Sequence, residues 1–321
     1  MLNAVLEIIL DVNRFEKLLK PFRRQYKKLQ KMVKSSHLLQ IHLAILLFGL
    51  AGLFGKLVLW PSAIIVLGRV FFASISLWGL ARMMGWELRL QSRRDYWLLA
   101  LLGVLLALHW VTFFQAIQVS TVAIGLLTFS TFPIFTTLLE PLFFRERLSG
   151  TDLLLALITF LGVALVVPRF ELDNALTRGA LWGIASGATF AVLSILNRKY
   201  VQRYKGLVIA FYQDLSATLV LLPVLWWIRP AFEWRSFLLL ILLGVVFTAL
   251  SHTMFINGMR TVKARTASII GSLEPVYGII AAALILQEIP GGRVLIGGII
   301  ILGATTYATL GPGNKERKEK Q

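Results

Sequence analysis

The chain has 321 residues, of which 57% are hydrophobic and 15% charged, and its mean hydropathy is +0.75. A soluble domain carries nearer ~25% charged residues, so the composition excludes one and predicts a multi-span membrane protein. The net charge of +17 does not call for nucleic acid, because the basic residues lie in tails and short loops; the absence of cysteine excludes disulfides and zinc–thiolate sites.

The first ten residues are not expected to be a cleaved signal. No positive flank precedes them, Glu7 interrupts them and no small-residue cleavage site follows. Residues 1–37 read as a basic amphipathic cytoplasmic tail. Phe15, Leu18, Leu19, Phe22 and Tyr26 recur at helical spacing among nine lysines and arginines, which suits an anionic lipid surface.

Apolar runs begin at residue 38, and a span needs about 20 residues. Ten are predicted: 38–57, 61–82, 96–116, 120–143, 152–168, 179–197, 206–228, 236–258, 264–287 and 291–310. Trp60, Trp86, Trp97, Trp226, Trp227 and Trp234 fall near span ends, where interfacial aromatics belong. The expected fold is therefore an all-α integral membrane protein of ten transmembrane helices. With the amino terminus inside, 26 basic residues face the cytoplasm and six face outside, which predicts that both termini are cytoplasmic.

The chain repeats itself. Ser130, Pro133, Glu146 and Gly150 precede Ser272, Pro275, Glu288 and Gly292 by 142 residues, and Leu108, Phe113, Gln115 and Ala116 match Leu250, Phe255, Asn257 and Gly258. Five spans per copy make the second copy enter the membrane inverted. The loops agree: residues 117–120 are uncharged, whereas their counterpart 259–262 opens a basic loop. Inverted repeats of this kind build many secondary transporters. The expected division is residues 38–168 and 179–310 as five-helix repeats, 169–178 as a periplasmic linker, and 311–321 as a second basic cytoplasmic tail.

These residues resemble the EamA group of the drug/metabolite transporter superfamily. The signs are the doubled five-span unit, the Ser-x-x-Pro…Glu-Arg-Leu run from Ser130 to Leu148, and its echo from Ser272 to Ile289. Leu43–Leu59, with Gly49, Gly52, Gly55 and Lys56, is similar to the family's first span, and Gly68-Arg69 to its second. The likeness covers residues 38 to 310; the basic amino-terminal extension is outside the usual pattern. The second copy departs by Ile-Pro after Glu288, and by one residue fewer between Glu288 and Gly303 than between Glu146 and Gly162. The resemblance implies transport of small organic solutes, amino acids among them, across the inner membrane, often outward, through a cavity shared by both halves. It implies no particular substrate.

Polar groups inside spans are costly and usually face the bundle interior. Arg69 either holds an anionic solute group or pairs with a carboxylate or freed carbonyls; it is placed with the structural and gating residues. His109 and Trp110 lie deep in the third span. His109, Phe113 and Ala116 share one helical face, which Ser251, Phe255 and Gly258 repeat, as a cavity wall or a packing seam. His109 is unduplicated, with His252 one position past its counterpart. Asp214 is either a proton-coupling acid or the partner of a salt bridge to Arg69. Glu274 either satisfies backbone near Pro275 or projects into the cavity. Candidate substrate-binding residues are thus His109, Trp110, Phe113, Ser130, Asp214, His252, Phe255, Ser272 and Glu274. Pro133 and Pro275 are matched helix breaks, and Glu146 and Glu288 are turn and capping residues, not ligands. No catalytic residue, metal or cofactor is expected, and no Walker loop or HExxH motif is present.

The leading expectation is a secondary transporter of a small metabolite by alternating access, with membrane lipid as the tail's partner and a homodimer left open. The alternatives are a membrane enzyme acting on a lipid-linked substrate, or a non-transporting sensor. Orientation is directly testable in a chain without cysteine. A cysteine placed at Asp173 should react with an impermeant reagent from outside, and one at Arg203 only after permeabilisation; the reverse pattern overturns the inverted repeat.

Overall fold

The structure is a computed structural model that describes residues 37–144, 150–167, 171–262, 267 and 270–310. The basic tails, Pro168, the loop that holds Glu146, and Lys263 with Arg265 lie outside the described residues. Every regular element among those described is helical. A hydrocarbon interior forces this, because backbone groups there find no water and must bond within their own segment.

In chain order the helices are α1 (His37–Ala51), α2 (Phe54–Leu57), α3 (Ser62–Met84), α4 (Arg93–Val119), α5 (Val122–Phe129), α6 (Phe132–Phe144), α7 (Gly150–Val166), α8 (Ala175–Tyr200), α9 (Gly206–Leu221), α10 (Val224–Trp227) and α11 (Trp234–Gly244). A π-helical segment, Val245–Leu250, then leads into α12 (Ser251–Gly258), followed by α13 (Glu274–Ile285) and α14 (Gly292–Leu310). Seven stretches are long and apolar enough to cross a membrane: His37–Leu57, Ser62–Met84, Arg93–Val119, Val122–Leu139, Ala175–Tyr200, Gly206–Trp227 and Trp234–Gly258. Leu153–Val166, Glu274–Ile285 and Gly292–Ala304 are shorter apolar helices. The chain is a multi-pass membrane protein.

Helix starts are capped by local chemistry. Ser92 Oγ accepts from Arg94 N at 3.2 Å, and Asn174 Oδ1 accepts from Leu176 N at 2.9 Å. Glu233 accepts from the Arg235 and Ser236 amides at the start of α11, and the bonds from Ser236 hold its carboxyl below the usual range. Gly85 closes α3 with a φ of 63°, a left-handed conformation in which a Cβ would be strained.

Two ends are distinct. At one, Arg260 donates to the carbonyls of Val201 and Tyr204, Arg203 lies 4.0 Å from Asp95, and Thr261 Oγ1 lies 2.9 Å from His37 Nδ1. At the other, Lys56 Nζ donates to Ser120 O at 2.7 Å, Trp60 Nε1 donates to Ala231 O at 3.1 Å, and Leu59 N donates to Ser236 Oγ at 3.3 Å. The loops of like charge bias are thus gathered together.

Helices facing lipid gain no hydrophobic drive from meeting each other, so they associate by close approach of small residues. Gly103 of α4 meets α9, where a Cβ would lie 2.6 Å from Gln213 O. Gly244 of α11 meets α3, where a Cβ would lie 2.8 Å from Arg69 O. Gly258 of α12 faces His37 O of α1, and Gly179 of α8 faces Ala116 O of α4.

Helix breaks fall at both predicted prolines. Residues 130 and 131 interrupt α5 and α6 just before Pro133, and α13 begins at Glu274-Pro275. Proline donates no amide and crowds the carbonyl four residues earlier. At the first break that carbonyl belongs to Phe129, and Gly187 of α8 approaches it; at the second it belongs to Gly271, and Gly49 of α1 approaches the neighbouring Glu274 O instead.

These seams set an expectation for stability. Gly103→Ala should lower the thermal stability of the detergent-solubilised protein, by the ~1–3 kcal/mol typical of overpacking. Gly79→Ala, with no neighbour within 4 Å of the added carbon, should be neutral or gain ~0.5–1 kcal/mol. Equal stability of both variants would show that the α4–α9 seam yields freely.

Candidate functional site

A small cavity lies where α1, α3, α4, α5, α8, α12 and α13 converge. Phe48, Ala51, Arg69, Leu106, His109, Trp110, Phe113, Phe129, Phe190, His252 and Glu274 line it. Its free volume is about 30 Å³. One water needs roughly 10–15 Å³, so this form admits water and excludes an organic solute.

Arg69 dominates the wall. It is 2% exposed, and its guanidinium lies 3.8 Å from the Trp110 ring centroid and 5.3 Å from that of Phe114. A desolvated cation over an aromatic face is worth ~2 kcal/mol. Arg69 Nε also donates to Thr248 Oγ1 at 2.9 Å, and Nη2 to Phe247 O at 3.4 Å. Thr248 in turn donates to Leu243 O at 2.8 Å, five residues back, within the π-helical turn. Arginine, tryptophan and π turn thus lock α3, α4 and α11 together.

His109 sits in an aromatic nest, with ring centroids of Phe190 at 4.9 Å and Phe129 at 5.5 Å. Its Nδ1 lies 2.9 Å from Ser186 Oγ and 3.1 Å from Ser186 O. His252 meets the Trp110 ring edge-on at 5.5 Å, and its Nδ1 lies 3.9 Å from Asp214 Oδ1. The group nearest Asp214 is therefore His252; among the described residues no ion pair joins Asp214 to Arg69, whose hydrogen bonds go to Thr248 and Phe247.

The other candidate residues stand around this wall. Asp214 is fully buried behind His252 and outside the lining. Phe255 packs behind Phe48 at 5.7 Å and Phe190 at 5.8 Å. Ser130 is buried at the α5 break, where its Oγ donates to Leu126 O at 2.9 Å; Ser272 is buried just ahead of α13. Pro275 occupies the first turn of α13, and Pro133 that of α6. Phe48, Ala51, Leu106, Phe129 and Phe190 are wall residues that the sequence did not single out. Phe129 carried one usable signal, since it adjoins the predicted break.

Glu288 does its work across the molecule. Its Oε2 accepts from Val122 N at 2.9 Å, so it caps the start of α5. Gln287, with a φ of 58°, turns the chain to bring it there, while Glu288 N closes α13 on Ala282 O at 3.2 Å.

Fold and cavity together define a helical membrane protein built to enclose a small polar-and-aromatic chamber. The model of the EamA-like transporter family matches residues 35–167 and again residues 177–310, and the chain belongs to that family. It is a transporter. The pseudopaline exporter CntI of Pseudomonas aeruginosa is 29% identical over 250 residues, covering 76% of this chain and 84% of that protein. An S-adenosylmethionine uptake transporter of Rickettsia conorii is 26% identical over 245 residues, covering 74% and 80%. One protein of known crystal structure is similar in fold, with a TM-score of 0.63 at 19% identity, covering 87% of this chain and 98% of that one.

The Glu288 contact gives a stability prediction. Glu288→Ala should cost ~0.5–2 kcal/mol, as for other lost helix caps, and Glu288→Gln should cost less because its amide oxygen still accepts. Thermal unfolding in detergent reads both; an unchanged Glu288→Ala would show the cap to be replaced by water.

Proposed function

We propose that this chain is a secondary transporter, an exporter or exchanger, that carries an amino acid or related small organic solute across the inner membrane by alternating access. Ten spans arranged as two inverted five-helix units, residues 38–168 and 179–310, with both termini cytoplasmic, are part of that reading. Paired contacts support it. Gln115 Oε1 accepts from Ser62 Oγ at the head of α3, and its repeat partner Asn257 Oδ1 accepts from Gly206 N at the head of α9. Gly103 and Gly244 make matching seams with α9 and α3. The gathering of the basic loops with His37 at one end supports cytoplasmic termini. The tail of residues 1–37 is read as lying on anionic lipid.

The observation that carries the substrate reading is the chemistry of the cavity. Arg69 and Glu274, on α3 and α13, put a basic and an acidic side chain into one chamber walled by Trp110, Phe113, Phe129 and Phe190. An arginine suits a carboxylate, a glutamate suits an ammonium group, and the rings suit an apolar side chain. The relatives are named for export and for uptake, so likeness supports transport without fixing direction.

The test is transport by purified protein in liposomes, with labelled proteinogenic amino acids offered one at a time. At least one should exchange across the membrane. Glu274→Gln and Arg69→Gln should each weaken its apparent affinity by about 10- to 100-fold, from the ~1.5–3 kcal/mol of a hydrogen bond to a charged group. If none exchanges, or if both variants match the parent at equal protein levels, the amino-acid reading fails.

A further inference from the structure

The buried cluster holds one permanent cation against two acids. Arg69 on α3, Asp214 on α9 and Glu274 on α13 are each 4% exposed or less. An uncompensated charge at such depth is costly, and the cluster in the empty cavity is neutral only if one acid carries a proton.

Geometry distinguishes the acids. Glu274 lines the cavity, whereas Asp214 lies behind it. Neither Asp214 oxygen has a hydrogen-bond partner among the described residues, and the same is true of His252 Nδ1, which faces Oδ1 at 3.9 Å. Each helix packed on α9 offers Asp214 little else. From α3 comes Arg69, already bonded to Thr248 and Phe247. On α4, Trp110 meets His252, while His109 turns to Ser186. On α9 itself, Gln213 donates to Asn197 Oδ1 at 2.6 Å, and Tyr212 donates to Leu88 O at 3.0 Å. Buried polar atoms are rarely left so, and an acid and an imidazole left facing each other are suited to share a proton. His252 also lines the cavity, so it joins Asp214 to the chamber.

We propose that Asp214 and His252 form a proton site behind the solute cavity, which holds one proton while the cavity is empty and releases it when a solute of net positive charge binds beside Glu274. This rests on the transport reading above. In the release step the Asp214 O–H bond breaks and its proton goes to the lone pair of His252 Nδ1. The imidazole gives up its Nε2 proton to water in the cavity. A solute of net charge +1 replaces the charge that leaves, so the cluster keeps its neutrality and the protein exchanges a cationic solute for a proton; a zwitterion, whose carboxylate cancels its ammonium group, releases none. Transfer needs the 3.9 Å separation to close to roughly 3 Å.

Two measurements test this on the full chain. The first needs no solute. Infrared spectra of the solubilised protein at neutral pH should show the carbonyl stretch of a buried protonated carboxylic acid. Asp214→Asn should remove it, Glu274→Gln should keep it, and His252→Gln should shift it. A band that survives Asp214→Asn, or no such band in the parent, overturns the proposal. Should Asp214→Asn fail to fold, the shift in His252→Gln decides instead, and an unmoved band there overturns it. The second uses liposomes and labelled lysine or arginine, amino acids of net positive charge. In Asp214→Asn, accumulation driven by a pH gradient should fall by at least about tenfold, and Asp214→Glu should restore part of the response. Gradient-driven accumulation that survives in Asp214→Asn overturns the coupling. If the band behaves as expected but no amino acid moves with the parent, the proton site stands and the amino-acid reading falls.

Discussion

A guanidinium that cannot lose its proton, held at the centre of an apolar bundle, constrains everything around it. Arg69 is among the largest fully buried side chains of this protein. Its charge is spread over the Trp110 face, its Nε is bonded to Thr248, and two carboxylates lie within electrostatic reach. Each of those groups belongs to a different helix. Moving any one of them exposes charge to a medium that solvates it poorly, so α3, α4, α9, α11 and α13 are coupled through one side chain. That coupling is what a transporter needs if solute arriving at the charge is to shift whole helices.

The two halves are alike where they pack and unlike where they carry charge. Relative to α3, the matching residues of α9 lie 144 positions on: Ser62 with Gly206, Arg69 with Gln213, and Ala73 with Ala217. Asp214 therefore falls opposite Val70, and the acid has no counterpart. The interval between α4 and α11 is 141 residues at Gly103 and Gly244, yet 142 from Leu108 and Leu250 onward. The one extra residue lies within the π-helical segment Val245–Leu250. A single insertion makes such a bulge, and bulges of this kind often mark functional sites. Here it supplies Thr248 to Arg69 and leads directly into His252.

Hydropathy and spacing made the helical class, the repeat and most span limits legible. The stretches 206–228 and 236–258 emerge as Gly206–Trp227 and Trp234–Gly258 because an apolar run bounded by polar loops has little freedom in a membrane. The π turn was not legible, since inserting one apolar residue in an apolar run changes no hydropathy and only slightly disturbs the repeat. Arg69, Asp214 and Glu274 stand out in any reading as charges inside spans. Which phenylalanines face the cavity does not, because 21 of them are distributed along the chain and periodicity marks a face without saying what it meets. The placing of Asp214 beside His252, with Arg69 committed elsewhere, depends on how α9 crosses α12, a tertiary fact with no local signature.

The smallness of the chamber limits how the proposed cycle can run. With about 30 Å³ free, a solute enters only if helices part. The seams best suited to parting are those held by small residues and by few directional bonds. Between α4 and α9, Gly103 faces Ser216 and Ala217; between α11 and α3, Gly244 faces Phe72 and Ala73. On the inverted-repeat reading these seams approach the cavity from opposite ends. Parting one while the other holds would open the chamber to one side alone. Arg69 and Gln213 present their carbonyls at the two seams, so one seam includes a member of the charged cluster and the other lies one residue from it. A change in charge at Asp214, next to Gln213, would act directly on the α4–α9 seam, whereas solute at Arg69 would act on the α11–α3 seam. The unduplicated acid and Arg69 would then bias opposite gates, which is the arrangement that exchange of solute for proton requires.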